Sequence, residues 1–139
     1  LKGAKDENGV SLLRNNRQGV TFPMADALCW LVASQKFLFD IIELSEKGKD
    51  SPILTEGLDG LVGFYSDLCR IQIGGAAAET GTVCSRMVYG YESSVKEIEE
   101  FSALKNKVDA GIAGSQLARD RAGQSMLQVS IPEALDYPL

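Results

Sequence analysis

The 139-residue sequence predicts an all-α fold: an antiparallel bundle of three long helices over residues 20–131, with a polar N-terminal arm over residues 1–19 and an extended tail over residues 132–139. Three observations predict it. Residues 24–46 run without a helix breaker. Residues 51–90 form a second long run that is apolar on nearly every side. From Val95 onward apolar residues recur at helical spacing until Pro132.

Each element has its own signals. The arm is polar and turn-rich, with Asn8-Gly9 and Asn15-Asn16 around the apolar patch of residues 10–13, and fits a hairpin, an ordered arm or a linker. Thr21 is placed to cap the first helix, Pro23 to sit in its first turn, and Gly48 to stop it. Leu28, Leu31, Leu38 and Ile42 make one stripe, while Cys29, Trp30, Val32, Phe37, Phe39 and Ile41 cover other sides. A helix this apolar all round is expected to be largely buried, with Trp30 in the core. The link of residues 47–50 is short and polar, so the second helix should return beside the first.

Ser51 and Pro52 read as the start of that second helix, a capping hydroxyl followed by a proline at the first helical position. Small or polar residues then recur at steps of three and four: Gly60, Gly63, Asp67, Arg70, Gly74, Ala77, Gly81 and Cys84. Glycine costs roughly 1 kcal/mol against alanine in a helix, so this seam implies close packing against neighbouring helices. The pair Gly74-Gly75 is the expected kink. The third helix carries Val95, Ile98, Phe101, Leu104, Val108 and Ile112 on an amphipathic face. It is read as continuing through the small residues 110–115 and on past Leu117, Ala118, Ala122, Met126 and Val129.

Composition excludes several classes of function. A net charge of −5 without a Lys/Arg cluster argues against nucleic acid. The longest strongly apolar run, residues 24–33, is half the roughly 20 residues a membrane span needs. Cys29, Cys69 and Cys84 are odd in number, and the last two lie about 22 Å apart along one helix, which fits free thiols in the cytoplasm. The chain opens on Leu1 rather than Met, as a processed product or a piece of a longer protein would. It contains no histidine, which removes Ser-His and Cys-His nucleophile pairs and histidine-based metal sites. No phosphate-cradling glycine loop is visible, and apolar neighbours would raise rather than lower a thiol pKa.

Among the carboxylates in apolar surroundings, Asp26, Asp40, Asp67 and Glu79, Asp67 stands out because Arg70 follows three residues later on the same helix face. The commoner role of such a pair is to fix helix register. The rarer one is to hold an anionic ligand on Arg70 while Asp67 orients it. In the second case a small ligand or cofactor would bind between the helices, with Arg70 and Gln72 as polar anchors and Gly74 and Gly75 allowing close backbone approach.

Residues 26–31 (DALCWL), the turn through 43–56, residues 64–69 (FYSDLC), 117–122 (LARDRA) and 131–138 (IPEALDYP) together resemble the C-terminal helical portion of bacterial acyl-CoA dehydrogenase-like flavoproteins. The resemblance implies an all-helical module of an enzyme that uses FAD to oxidise an acyl-CoA and passes electrons to an electron-transfer flavoprotein. The family's flavin-binding Gln-x-x-Gly-Gly run has its nearest counterpart in Gln72-Ile73-Gly74-Gly75, one residue shorter. The family's Tyr-Glu-Gly-Thr segment, its β-domain and its N-terminal helical domain find no counterpart here. The resemblance therefore implies a non-catalytic scaffold or oligomerisation domain, with no cofactor of its own and FAD confined to a longer parent. The apolar surface of the first two helices exceeds what one amphipathic partner covers, so self-association or docking on parent domains is expected.

Overall fold

The computed structural model describes residues 5–6, 8–11, 18–51, 57–91 and 94–134, with residues 128–134 described through their backbone alone. The fold class is all-α. Among the described residues the elements are α1 (Gln18–Lys47), a 3-10 turn (Gly48–Asp50), α2 (Leu58–Gly90), α3 (Val95–Asp109), a second 3-10 turn (Ala110–Ile112) and α4 (Ser115–Ala134). The β-type pairing among them is an isolated antiparallel bridge between Lys5 and Ser11. It closes over Asn8-Gly9: Gly9 takes a φ of +72°, and the Asp6 carboxylate accepts from the Asn8 and Val10 amides at 3.0 and 2.8 Å. Residues 1–4, 7 and 12–17 of the arm, Asn15-Asn16 among them, lie outside the described residues, and its last two residues, Gln18 and Gly19, begin a helix.

Four boundaries differ from expectation. Helix α1 begins at Gln18, so Pro23 lies inside it rather than in the first turn, and its missing N–H costs the bond to the Gly19 carbonyl. Ser51 does not start α2. It is extended and donates its N–H to the Gly48 carbonyl at 3.1 Å, closing the 3-10 turn, while α2 starts at Leu58. Pro52 lies outside the described residues. The expected third helix is two helices, because Gly114 adopts a φ of +79°, left-handed backbone that a helix cannot pass through. Finally, α4 runs to Ala134, so residues 132–134 are helical where an extended tail was expected; residues 135–139 lie outside the described residues.

Local chemistry accounts for these ends. Ser94 caps α3 in a reciprocal box: its hydroxyl accepts from the Glu97 amide at 3.3 Å, and the Glu97 carboxylate accepts from the Ser94 amide at 2.8 Å. Gly48 ends α1 with an ordinary φ. A Cβ there would meet Leu58 Cδ1 at 2.5 Å, so the Leu58 side chain occupies the space that the glycine leaves. Helix α2 is continuous through Gly74-Gly75.

The chain forms two compact units. The first comprises Leu1–Ala33 and Gly74–Ile112. In it Val20 and Met87 are buried together, flanked by Met24, Val83 and Tyr91. Helix α3 lies against the second half of α2: Tyr89 and Phe101 meet edge-on with ring centres 5.8 Å apart, and the hydrogen of Gly111 faces the Ala77 methyl. The second unit comprises Ser34–Ile73 and Ala113–Leu139. There Phe37 and Tyr65 meet edge-on at 6.4 Å, and α4 buries the small Ala118 and Ala122 while Leu117 and Met126 stay exposed.

Burial departs most from expectation on α1. Its covered positions are Val20, Ala27, Ser34 and Ile41, one every seven residues, and the series continues to the buried Gly48. Leu28, Leu31, Val32, Leu38, Phe39 and Ile42 are 43–62% exposed, and Trp30, expected in the core, is 47% exposed. The helix is therefore not largely buried. Among the described residues, the buried apolar side chains other than Val20, Ile41, Leu58 and Met87 are alanines and Cys69.

Candidate functional site

The residues singled out on α2 take part in fastening α4. Asp67 does not pair with Arg70. Its carboxylate, mostly shielded, accepts from Arg121 Nε at 3.1 and 3.0 Å and also from Arg121 Nη2. This forked contact pushes the Arg121 guanidinium pKa up. Arg70 instead donates from Nη2 to the Ala113 carbonyl at 2.9 Å, and its guanidinium packs against the open face of Gly114. It thus satisfies a carbonyl where the backbone turns left-handed, just before α4. Gln72 is half-buried, Gly74 is buried, and Gly75 is exposed with open space where a side chain would be. The three grooves described below are lined by none of Arg70, Gln72, Gly74 and Gly75. The expected register pair of Asp67 and Arg70 gives way to two tertiary fasteners.

The small-residue seam of α2 behaves differently along its length. In the first unit Gly74, Ala77 and Gly81 are buried, as the seam predicts. In the second unit Gly60 and Gly63 are exposed and line an open groove of about 420 Å³ with Phe64, Asp67, Arg121, Gln124 and Ser125.

Two grooves lie in the first unit. One, of about 540 Å³, runs between α1 and α2, with Asp26, Cys29, Trp30 and Ala33 on one wall and Glu79, Val83 and Arg86 on the other. Its charged groups are exposed. The second, of about 210 Å³, is apolar and lies between α2 and α3, lined by Cys84, Met87, Val88, Phe101, Leu104 and Val108 among others. Thr80, also on its wall, has a buried hydroxyl with no hydrogen-bond partner among the described residues. Burial pushes the Cys84 thiol pKa up, and that of Cys69 likewise, as their apolar neighbours predict. No cluster of candidate metal ligands occurs among the described residues.

Among the described residues, an exposed apolar face of α1 remains uncommitted. Leu28, Leu31, Val32, Leu38, Phe39 and Ile42 recur at helical spacing along one side, with the exposed Gln35 in their midst. Sequence reading recognised only part of this stripe and assigned it to the core. The charged residues lie beside it: Lys36 pairs with Asp40, and Lys47 with Glu43, whose carboxyl the lysine holds below its usual range. No described helix is long and apolar enough to cross a membrane. No protein-family model, curated protein or solved structure matches the chain.

Proposed function

We propose that this chain is a non-catalytic helical scaffold that holds polypeptides together through the outer face of α1. The observation that carries the reading is the stripe of six large apolar side chains left roughly half exposed on one helix, where half of the buried apolar residues among those described are alanines. A surface of this kind marks a protein–protein interface. The absence of histidine from the sequence fits a structural role. The setting we propose, the C-terminal helical portion of an FAD-dependent acyl-CoA dehydrogenase with the flavin held elsewhere in a longer parent, rests on the resemblance alone. A cytoplasmic location fits the three free thiols.

Native mass spectrometry of the purified chain over a micromolar concentration series tests the reading. Multiples of the subunit mass that disappear in Leu28→Glu support it. A bare monomer at every concentration counts against it.

A further inference from the structure

Three of the four serine and threonine hydroxyls of α2 return to their own helix: Ser66, Thr82 and Ser85 each donate to the carbonyl four residues back, at 2.7, 3.0 and 2.7 Å. Thr80 departs from this pattern. Its hydroxyl is buried and has no hydrogen-bond partner among the described residues, an arrangement that destabilises a fold. Thr80 also stands at one end of the apolar groove between α2 and α3. The two helices run antiparallel, since Gly111 faces Ala77 while Tyr89 meets Phe101. Thr80 is therefore level with Val108, and Val88 at the other end is level with Phe101. From Thr80 to Val88 the groove is about 12 Å long, at 1.5 Å per residue, and the whole of it lies within the first compact unit.

We propose that this groove binds a small uncharged molecule, an unbranched alkyl chain ending in a carbonyl that accepts a hydrogen bond from Thr80. The site is independent of the face of α1. Its volume of about 210 Å³ exceeds that of apolar cavities that hold a benzene ring, which are about 150 Å³. Its shape asks for a narrow, elongated occupant. Among the described residues Lys105 is the one charged residue on the wall, and Asp109 holds its ammonium at 2.6 Å. No free charge is left to pair with an ionic ligand. A buried water makes about three hydrogen bonds, and an apolar wall cannot supply them, so the partner that suits Thr80 brings its own apolar body. The hydroxyl is covered, but a turn about χ1 exchanges it with the methyl, and both rotamers are open to threonine in a helix.

Titration of the whole chain with 2-pentanone, 2-hexanone and 2-heptanone, followed by methyl and amide NMR, tests the site. Saturable shifts should centre on Thr80, Cys84, Val88, Leu104 and Val108, with a Kd for 2-heptanone on the order of a millimolar. Each added methylene should tighten binding about threefold. Thr80→Val keeps the shape and removes the hydroxyl, so it should weaken all three ketones about fivefold and leave the step per methylene unchanged. Far-UV circular dichroism checks that the variant keeps its helix content. In the wild type, a downfield move of the labelled ketone carbon on binding reports the hydrogen bond without any substitution. Shifts that do not saturate, or that centre on the exposed face of α1, overturn the site. Unchanged affinity in Thr80→Val, or a ketone carbon that does not move, overturns the role of the hydroxyl and with it the class of ligand.

Discussion

Ile41 and Ile42 are neighbours in the chain and identical in chemistry, yet Ile41 is 8% exposed and Ile42 43%. They sit on different faces of α1. The inner face carries Val20, Ala27, Ser34 and Ile41 at intervals of seven, two of them small enough to let a neighbouring backbone come close. The outer face, roughly a quarter turn away by the 100° step of the helix, carries the bulkier leucines, Phe39 and Ile42. The covered positions thus include the small Ala27 and Ser34, whereas the uncovered apolar ones are all large. Apolar burial is favourable at about 25 cal/mol per Å², so the uncovered face is the one whose burial by the proposed partner would contribute most.

The sharpest way to break this comparison is to truncate each isoleucine in turn. Ile41→Ala should destabilise the fold by about 2–4 kcal/mol in urea unfolding, whereas Ile42→Ala at low protein concentration should cost less than about 1 kcal/mol. Equal losses would mean that the two faces are not distinct in solution. The next largest effect concerns the fastener before α4. Gly114→Ala must place a side chain at a φ of +79°, with its Cβ 3.0 Å from Arg70 Nε, and should cost about 1–2 kcal/mol in thermal unfolding. Adding Arg70→Ala should leave most of that loss, because the backbone strain persists when the crowding is gone.

Asp67→Asn removes a forked ion pair whose arginine side is largely exposed. A loss of up to about 1 kcal/mol, shrinking in high salt, is expected from the same unfolding measurement. The smallest effect belongs to the α3 cap. The Ser94 amide and then its hydroxyl hold the Glu97 carboxyl below its ordinary value of 4.5. The folded value is the lower one, so the cap's contribution is fully present above 4.5 and is lost as pH falls through the depressed value. Stability measured against pH should decline less steeply in that acidic range for Glu97→Gln than for the wild type.

Much of the fold was legible in the sequence because helix signals are local. Gly48 marked the end of α1, and Asn8-Gly9 was readable as a turn, within an arm that fitted a hairpin, an ordered arm or a linker. The Ser94-x-x-Glu97 spacing is a local signal too, and it marks the start of α3. The break at Gly114 was missed because a run of small residues looks alike whether it packs inside a helix or interrupts one, and only the positive φ distinguishes the cases. The pairing of Asp67 was missed for a different reason. A spacing of three on one helix offered Arg70, whereas the actual partner, Arg121, is 54 residues away and is brought close only by tertiary packing. Periodicity likewise identified the apolar residues of α1 but could not say which face the rest of the chain would cover.

The most direct test of the interface is the dependence of melting temperature on protein concentration, for the wild type and for Val32→Glu. Association that buries the outer face of α1 stabilises the folded state by mass action. The wild-type melting temperature should therefore climb with concentration while that of Val32→Glu stays level, the two converging at the lowest concentration. A wild-type melting temperature that is flat across the series would contradict the reading of this face as one through which the chain self-associates.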